Sequence, residues 1–194
     1  MKICIFGAAS AHIDEIYIKK VEELGEKLAK RGHSLVFGAG ATGLMGAAAR
    51  GVKRGGGFIH GVIPKFFIDE SVELIFDDCD LTTYTQTMSE RKKTMEDEAD
   101  AFIITPGGIG TFEEFFEVLT LKQLGRHDKP IVIYNIANYY DGLEKFMKTV
   151  AERKFITFNC YEMYSYFDGA EEILDYIENY KPKGTPWQKL KIGD

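Results

Sequence analysis

The sequence is poor in cysteine, with three among 194 residues, and Cys4, Cys79 and Cys160 stand without CxxC or histidine-cluster spacing. An odd, scattered set of thiols indicates neither a disulfide framework nor a zinc site, and a reducing cytosol is the expected setting. The four histidines, His12, His33, His60 and His127, have no ligand spacing and no evident nucleophile partner, so no metal is expected. Long apolar runs are missing too: none approaches the ~20 residues that cross a bilayer, and no membrane span is expected. The opening MKICIFGAASAH carries an apolar run too short for a signal peptide, with Asp14 and Glu15 following at once. Proline is scarce, at five, and no internal repeat is present, which speaks against a disordered or fibrous chain. Basic residues fall short of acidic ones, 24 against 30, for a formal charge of −6. General affinity for nucleic acid is therefore not expected, and any anion site must be local.

What is present is the material of one ordinary domain. Hydrophobic residues make up 45% and aromatics 13%, and a chain of this length can bury roughly 70% of its unfolded surface. Short β-rich runs alternate with helical patterns. Strands are expected at 2–6, 34–37, 58–63, 101–105, 131–135 and near 161–167, with short extended pieces around 74–76 and 80–83. Helices are expected from about Ile13 to Arg31, at 43–54, 85–99, 111–124, 141–153 and 169–180. Asp141 with Glu144 reads as a capping box and Asp168 as an N-cap. This alternation predicts an α/β fold, a single-domain doubly wound parallel sheet with helices on both faces, over residues 1–180. The tail 181–194 reads as irregular, with Trp187 docking it.

The most informative segment is TPGGIGTFEE, Thr105 to Glu114, where a buried strand ends and a helix begins. Open parallel sheets gather ligands outside the carboxyl ends of their strands. Gly107, Gly108 and Gly110 let the backbone approach a ligand, and the free amides at the helix start can hold a phosphate. The competing reading is a capping box, Thr111 with Glu114, in which the acid serves only the backbone. Glu113 is an equally acidic neighbour, and spacing alone does not select between the two.

The second constellation is MSERKKTM, 88–95. At about 100° per residue, Met88, Lys92, Met95 and Ala99 share one face with Arg91 on its flank. An inward guanidinium needs a partner, and a carboxylate or phosphate suits its fork, unless the two cations merely snorkel or form a structural ion pair. Lys93 and Glu90 point elsewhere, to solvent. The third is GAGATG, Gly38 to Gly43, which matches the GxGxxG pattern but follows the second strand and has no ribose-binding acid about twenty residues on. It reads as another close-approach loop at the same rim, with Gly40 and Gly43 near the ligand, whereas Gly46 serves helix packing.

Together these segments resemble the LONELY GUY (LOG) family, cytokinin riboside 5′-monophosphate phosphoribohydrolases long mislabelled as lysine decarboxylases. PGGIGTFEE is similar to the family's PGGxGTxxE signature and MSERKKTM to its MxxRKxxM segment; GAGATGLMG and the later GVIP at 61–64 add to the likeness, which runs from about residue 2 to 180. The resemblance implies a Rossmann-like fold and hydrolysis of the N-glycosidic bond of a nucleoside 5′-monophosphate, without a cofactor. It implies Arg91 and Glu114 as the catalytic pair and a pocket formed by Lys92, Gly108, Ile109, Gly110, Thr111, Phe112, Glu113 and Thr120. An acidic position after GVIP contacts ligand in the family, and Glu70 is its candidate here; Ser10, in the loop after the first strand, joins the same site. The family's usual homodimer, or a larger assembly, is implied as well. The sequence departs from the family at Ala39, Phe37 and Ala8-Ala9-Ser10. A non-catalytic binder of a phosphorylated ligand, such as a molybdenum-cofactor carrier, is the alternative.

Overall fold

The computed structural model describes residues 1–156 and 158–182. Seven strands form one parallel sheet: β1 (Lys2–Phe6), β2 (Ser34–Phe37), β3 (Ile59–Pro64), β4 (Leu81–Thr85), β5 (Ala101–Ile104), β6 (Ile131–Tyr134) and β7 (Ser165–Phe167). Their order is β4-β3-β2-β1-β5-β6-β7, so the winding reverses between β1 and β5. The doubly wound sheet expected from the alternating pattern is present, and its switch point is where ligands gather in such sheets.

Burial explains why the central strands read as unbroken apolar runs. Ile3, Ile5, Leu35, Phe37, Ala101, Ile103, Val132 and Tyr134 face one core. Their neighbours Cys4, Phe6, Val36, Phe102, Ile104, Ile131 and Ile133 face the other. The first core is closed by α1 (Glu15–Lys30), α2 (Gly43–Arg54) and α7 (Ala170–Glu178); the second is closed by α4 (Met88–Glu98), α5 (Ile109–Gln123) and α6 (Asp141–Glu152). Both faces are covered, as a parallel sheet requires. A five-residue helix, α3 (Lys65–Asp69), follows β3 directly and has no counterpart in the sequence reading.

Several local expectations are corrected. The helix expected from residue 111 begins at Ile109, with Gly108 as its N-cap. Asp141 is not a cap: it is the first residue of α6 and accepts a hydrogen bond from Asn135 Nδ2 at 2.8 Å. Gly169 rather than Asp168 precedes α7. Residues 158–163 form a 3₁₀ turn, which shortens the strand expected near 161–167 to Ser165–Phe167. Glu90 does not face only solvent, because its carboxylate accepts the Gln86 amide at 2.7 Å while Thr87 Oγ1 accepts the Glu90 amide. Trp187 and the tail from residue 183 lie outside the described residues.

The small residues of α2 bring it against α1 rather than against the sheet alone. A Cβ on Gly51 would stand 2.1 Å from the Glu22 carbonyl oxygen, and one on Gly25 2.4 Å from the Ala48 carbonyl oxygen. These are backbone contacts that no rotamer change relieves. Gly51→Ala is therefore expected to destabilise the fold by about 1–3 kcal/mol through overpacking, although helix propensity alone favours alanine by about 1 kcal/mol. Urea unfolding of the variant gives the sign directly.

Candidate active site

A cleft of about 360 Å³ opens at the switch point. Its walls come from the loop after β1 (Gly7, Ala8, Ala9, Ser10), from the start of α5 (Gly108, Gly110, Thr111, Glu113, Glu114) and from Met45, Phe67, Glu73, Met88 and Arg91. The chain crosses from one half of the sheet to the other here, so residues distant in sequence meet over the ends of β1 and β5.

Arg91 is the deepest cation in this wall, with 4% of its surface exposed. The capped start of α4 aims it across the ends of β2 and β3. Nε donates to the Val62 carbonyl at 3.2 Å and Nη2 to the Gly38 carbonyl at 2.8 Å. Phe67 lies under the guanidinium, 5.4 Å from ring centroid to Cζ. Nη1 is left with the Met88 thioether at 3.9 Å. The partner expected for an inward guanidinium thus turns out to be backbone carbonyl, and the carboxylates stand further off as electrostatic neighbours. Gly38 admits the group: a Cβ there would sit 1.6 Å from Nη2.

Glu114 faces the same cleft from the first turns of α5. Burial pushes its carboxyl up to about 7, with Arg91 and Lys92 pulling down and Glu113 and Glu117 pushing up. Because α5 starts at Ile109, Thr111 is already inside the helix and cannot be its N-cap, so the capping-box reading of Glu114 fails. Between Glu113 and Glu114, which spacing left open, the structure draws the distinction: Glu113 is exposed and pairs with Lys92, whereas Glu114 is the desolvated acid.

A second acid, Glu73, was not among the expected site residues. Burial raises its carboxyl while Arg91 lowers it, and Oε1 has no hydrogen-bond partner among the described residues. Its placement follows from a suture between two loops. Phe76 donates its amide to Ala39 O at 2.8 Å and Ala41 donates to Leu74 O at 2.8 Å, with Gly40 and Ile75 paired as an isolated bridge. Glu70, the residue expected after GVIP, is exposed just past α3 and outside the cleft. The extended piece at 74–76 is visible in the sequence, but its pairing with residues 39–41 is a long-range contact without a local signature.

The other expected residues divide. Ser10, Gly108, Gly110, Thr111 and Glu113 reach the cleft. Gly107 abuts Thr111, whose Oγ1 would be 2.1 Å from a Cβ there, while Gly108 and Gly110 have nothing within 4 Å of such an atom. Gly40 and Gly43 are not brought to the lining. They are buried packing points, a Cβ on Gly40 meeting Glu73 Oε1 at 2.3 Å and one on Gly43 meeting the Ala8 carbonyl at 2.3 Å. Phe112 turns toward the core, edge-on to Tyr140 at 5.9 Å. Lys92 is held by Glu113 and, at 2.5 Å, by Glu117, which raise its ammonium above the usual range against the opposing effect of burial. Ile109 and Thr120 are exposed on the outer face of α5.

Seven parallel strands with a cleft over the switch point place this protein in the Rossmann-like α/β class. A family model described as possible lysine decarboxylase matches residues 45–177. Two curated Arabidopsis thaliana proteins named cytokinin riboside 5′-monophosphate phosphoribohydrolase, LOG2 and LOG1, are 35% and 36% identical to it. These matches cover 100% and 99% of this chain and 90% and 92% of the relatives. The chain therefore belongs to the LONELY GUY family. Among solved structures, the molybdenum cofactor carrier protein of Chlamydomonas reinhardtii superposes with a TM-score of 0.70 at 21% identity, covering 91% of this chain and 95% of that one; this likeness concerns the fold. No helix among the described residues is long and apolar enough to cross a membrane.

Glu114 also makes a prediction about stability. A carboxyl that titrates near 7 when folded and near 4.5 when unfolded binds more protons in the native state between those values, so its ionisation destabilises the fold as pH rises through that window. Glu114→Gln is expected to raise Tm at pH 8 by roughly 2–4 °C, the shift that about 1 kcal/mol brings in a domain of this size. At pH 5 the gain should shrink. Calorimetry at the two pH values checks the sign.

Proposed function

We propose that this chain hydrolyses the N-glycosidic bond of a cytokinin-type nucleoside 5′-monophosphate, releasing free base and ribose 5-phosphate. The observation that carries this reading is the pairing, in one cleft, of an amide-lined glycine loop with two desolvated acids around a fixed guanidinium. Such a cleft is polarised. The helix start at Gly108 to Thr111 offers donors to the 5′-phosphate, while Glu114 and Glu73 face the sugar, which becomes positive as the bond to the base breaks. The curated relatives named for this reaction support it, since they match nearly the whole chain.

In this scheme a water attacks C1′ as the base departs with the bonding electrons. One water proton passes to the Glu114 carboxylate, and Glu114 then gives it up to the departed base nitrogen, so that the hydroxyl stays on C1′ and the carboxylate is regenerated. A carboxyl poised near neutrality suits both holding and releasing that proton. Arg91 acts by charge and position: it keeps Glu114 and Glu73 from rising further and presents Nη1 to the ligand. The amides of the helix start, Gly108 to Thr111, hold the phosphate, so orientation is settled before chemistry.

Two other readings fit less well. A carrier of a phosphorylated pterin would need anion contacts where two partly buried acids stand. Pyridoxal-dependent lysine decarboxylation would need a Schiff-base lysine, and no lysine is among the described residues lining the cleft.

We further propose a homodimer in a reducing cytoplasm. Ile109 is 89% exposed between two glycines that line the cleft, with Glu113, Phe116 and Thr120 along the same outer face of α5, a stripe that a second copy would cover. Thr120, assigned to the ligand by family resemblance, would then serve the partner's cleft. Cys4 and Cys79 are free thiols.

Glu114→Gln is expected to lower kcat/KM for base release by at least about 10² while the protein stays folded. Wild-type activity should rise with pH through a midpoint near 7, because the ionised acid is the working form. Arg91→Lys keeps the charge and loses the fork, and should also be impaired. Chromatographic scoring of liberated base from a panel of nucleoside monophosphates measures all three; unchanged turnover in the glutamine variant would overturn the assignment. Light scattering decides the assembly state.

A further inference from the structure

The glycine loop after β5 can serve an anion only if its carbonyl oxygens are turned away, because a carbonyl and the following amide belong to one rigid plane and point in opposite directions. The acceptors of this loop are all occupied. Thr105 O takes the Tyr140 hydroxyl at 2.8 Å, Pro106 O takes the Ala8 amide at 3.1 Å, Gly107 O takes the Tyr139 hydroxyl at 2.7 Å and Gly108 O takes the Phe112 amide at 3.0 Å. Two of the four donors are adjacent tyrosine hydroxyls from a different loop, the one that follows β6.

That loop is built at a conformational cost. Ala137 and Asn138 both have left-handed backbone, at φ 51° and 60°. Single alanines avoid this region, and two such residues in succession persist only where their surroundings hold them. Asn135 does the holding: Oδ1 accepts the Tyr140 amide at 2.7 Å and Nδ2 donates to Asp141 Oδ1 at 2.8 Å. The tight reversal delivers Tyr139 and Tyr140 side by side, ring centroids 4.9 Å apart and nearly perpendicular. Tyr140 is buried against Phe112, while Tyr139 is 43% exposed, so its hydroxyl could have gone to water and instead reaches Gly107 O.

We infer that Tyr139 and Tyr140 are positioning residues for the phosphate end of the site: Tyr140 anchors the start of the loop through Thr105 O, ahead of Pro106, which has no N–H, and Tyr139 turns Gly107 O away so that the Gly108 amide faces the ligand. Pinning Gly107 O fixes the direction of the Gly108 N–H, the amide of a residue that lines the cleft and is otherwise open. The inference rests on the reading of this loop as a 5′-phosphate cradle. It assigns work to a strained turn that the sequence motifs do not touch.

The test removes one oxygen. Tyr139→Phe should raise KM for a cytokinin riboside 5′-monophosphate by roughly 3- to 10-fold, the effect of one neutral hydrogen bond, with kcat nearly unchanged. Ribose 5-phosphate, titrated by calorimetry or as an inhibitor, should weaken by the same factor, while ribose lacking the phosphate should not change. Tyr140→Phe should act in the same direction if it folds; the partly exposed Tyr139 keeps the test available if it does not. Tyr180→Phe, which loses a hydrogen bond to Lys122 at the far end of α5, is the control and should leave KM alone. Unchanged KM and ribose 5-phosphate affinity in Tyr139→Phe, equal weakening of ribose and ribose 5-phosphate, or no binding of ribose 5-phosphate by the wild type would each overturn the inference. If the wild type binds ribose 5-phosphate and releases no base, the hydrolase reading falls while the phosphate comparison still decides the role of the tyrosines.

Discussion

The site depends on a buried guanidinium anchored by main chain. Placing Arg91 beneath the cleft removes a charge from water, and two carbonyls from the ends of β2 and β3, with an aromatic ring below, meet that cost. Because its strongest contacts are to backbone, the cation cannot neutralise either acid by direct contact. Glu73 and Glu114 consequently feel its field while keeping the elevated proton affinity that burial gives them. Had the guanidinium formed a close bidentate pair with one of them, that carboxyl would have been driven low and tied up.

This arrangement gives a physical reason for glycines that would otherwise read as a dinucleotide fingerprint. Gly38 makes space for the guanidinium, Gly40 for the second acid, and Gly43 and Gly46 for the close approach of α2 to the loops beside it. The GxGxxG pattern here records what the loop must lie against within the protein. The glycines of the β5–α5 loop differ, since Gly108 and Gly110 have open space where a side chain would go. Identical residue types thus mark an internal packing constraint in one loop and open space at the cleft in the other.

Much of this was legible in the chain. Alternating apolar runs and amphipathic periods give the parallel sheet and both helical layers, because period and burial are local properties. The cleft-facing glycines and Glu114 are legible because strand end, glycine loop and helix start are contiguous, and Arg91 because the helical period sets it beside an apolar face. Glu73 is not, since its position comes from pairing between segments some 35 residues apart (Gly40 with Ile75). Tyr139 and Tyr140 are not, because they read as ordinary aromatics until the turn is seen to fold back on the Gly107 loop. The capping assignment at Asp141 failed for a different reason: its carboxylate accepts from Asn135, six residues back in the preceding turn, instead of serving the amides of its own helix.

Lys92 has a consequence of its own. Its ammonium bridges two carboxylates one turn apart on the neighbouring helix, and it sits next to Arg91 in the chain while Glu113 sits next to Glu114. The clamp therefore acts as a spacer between the segment carrying the cation and the segment carrying the acid. Any sliding of one helix along the other would have to stretch this bridge as it altered the gap between Arg91 and Glu114. A charged residue that stands outside the cleft in this way sets its mechanical tolerance.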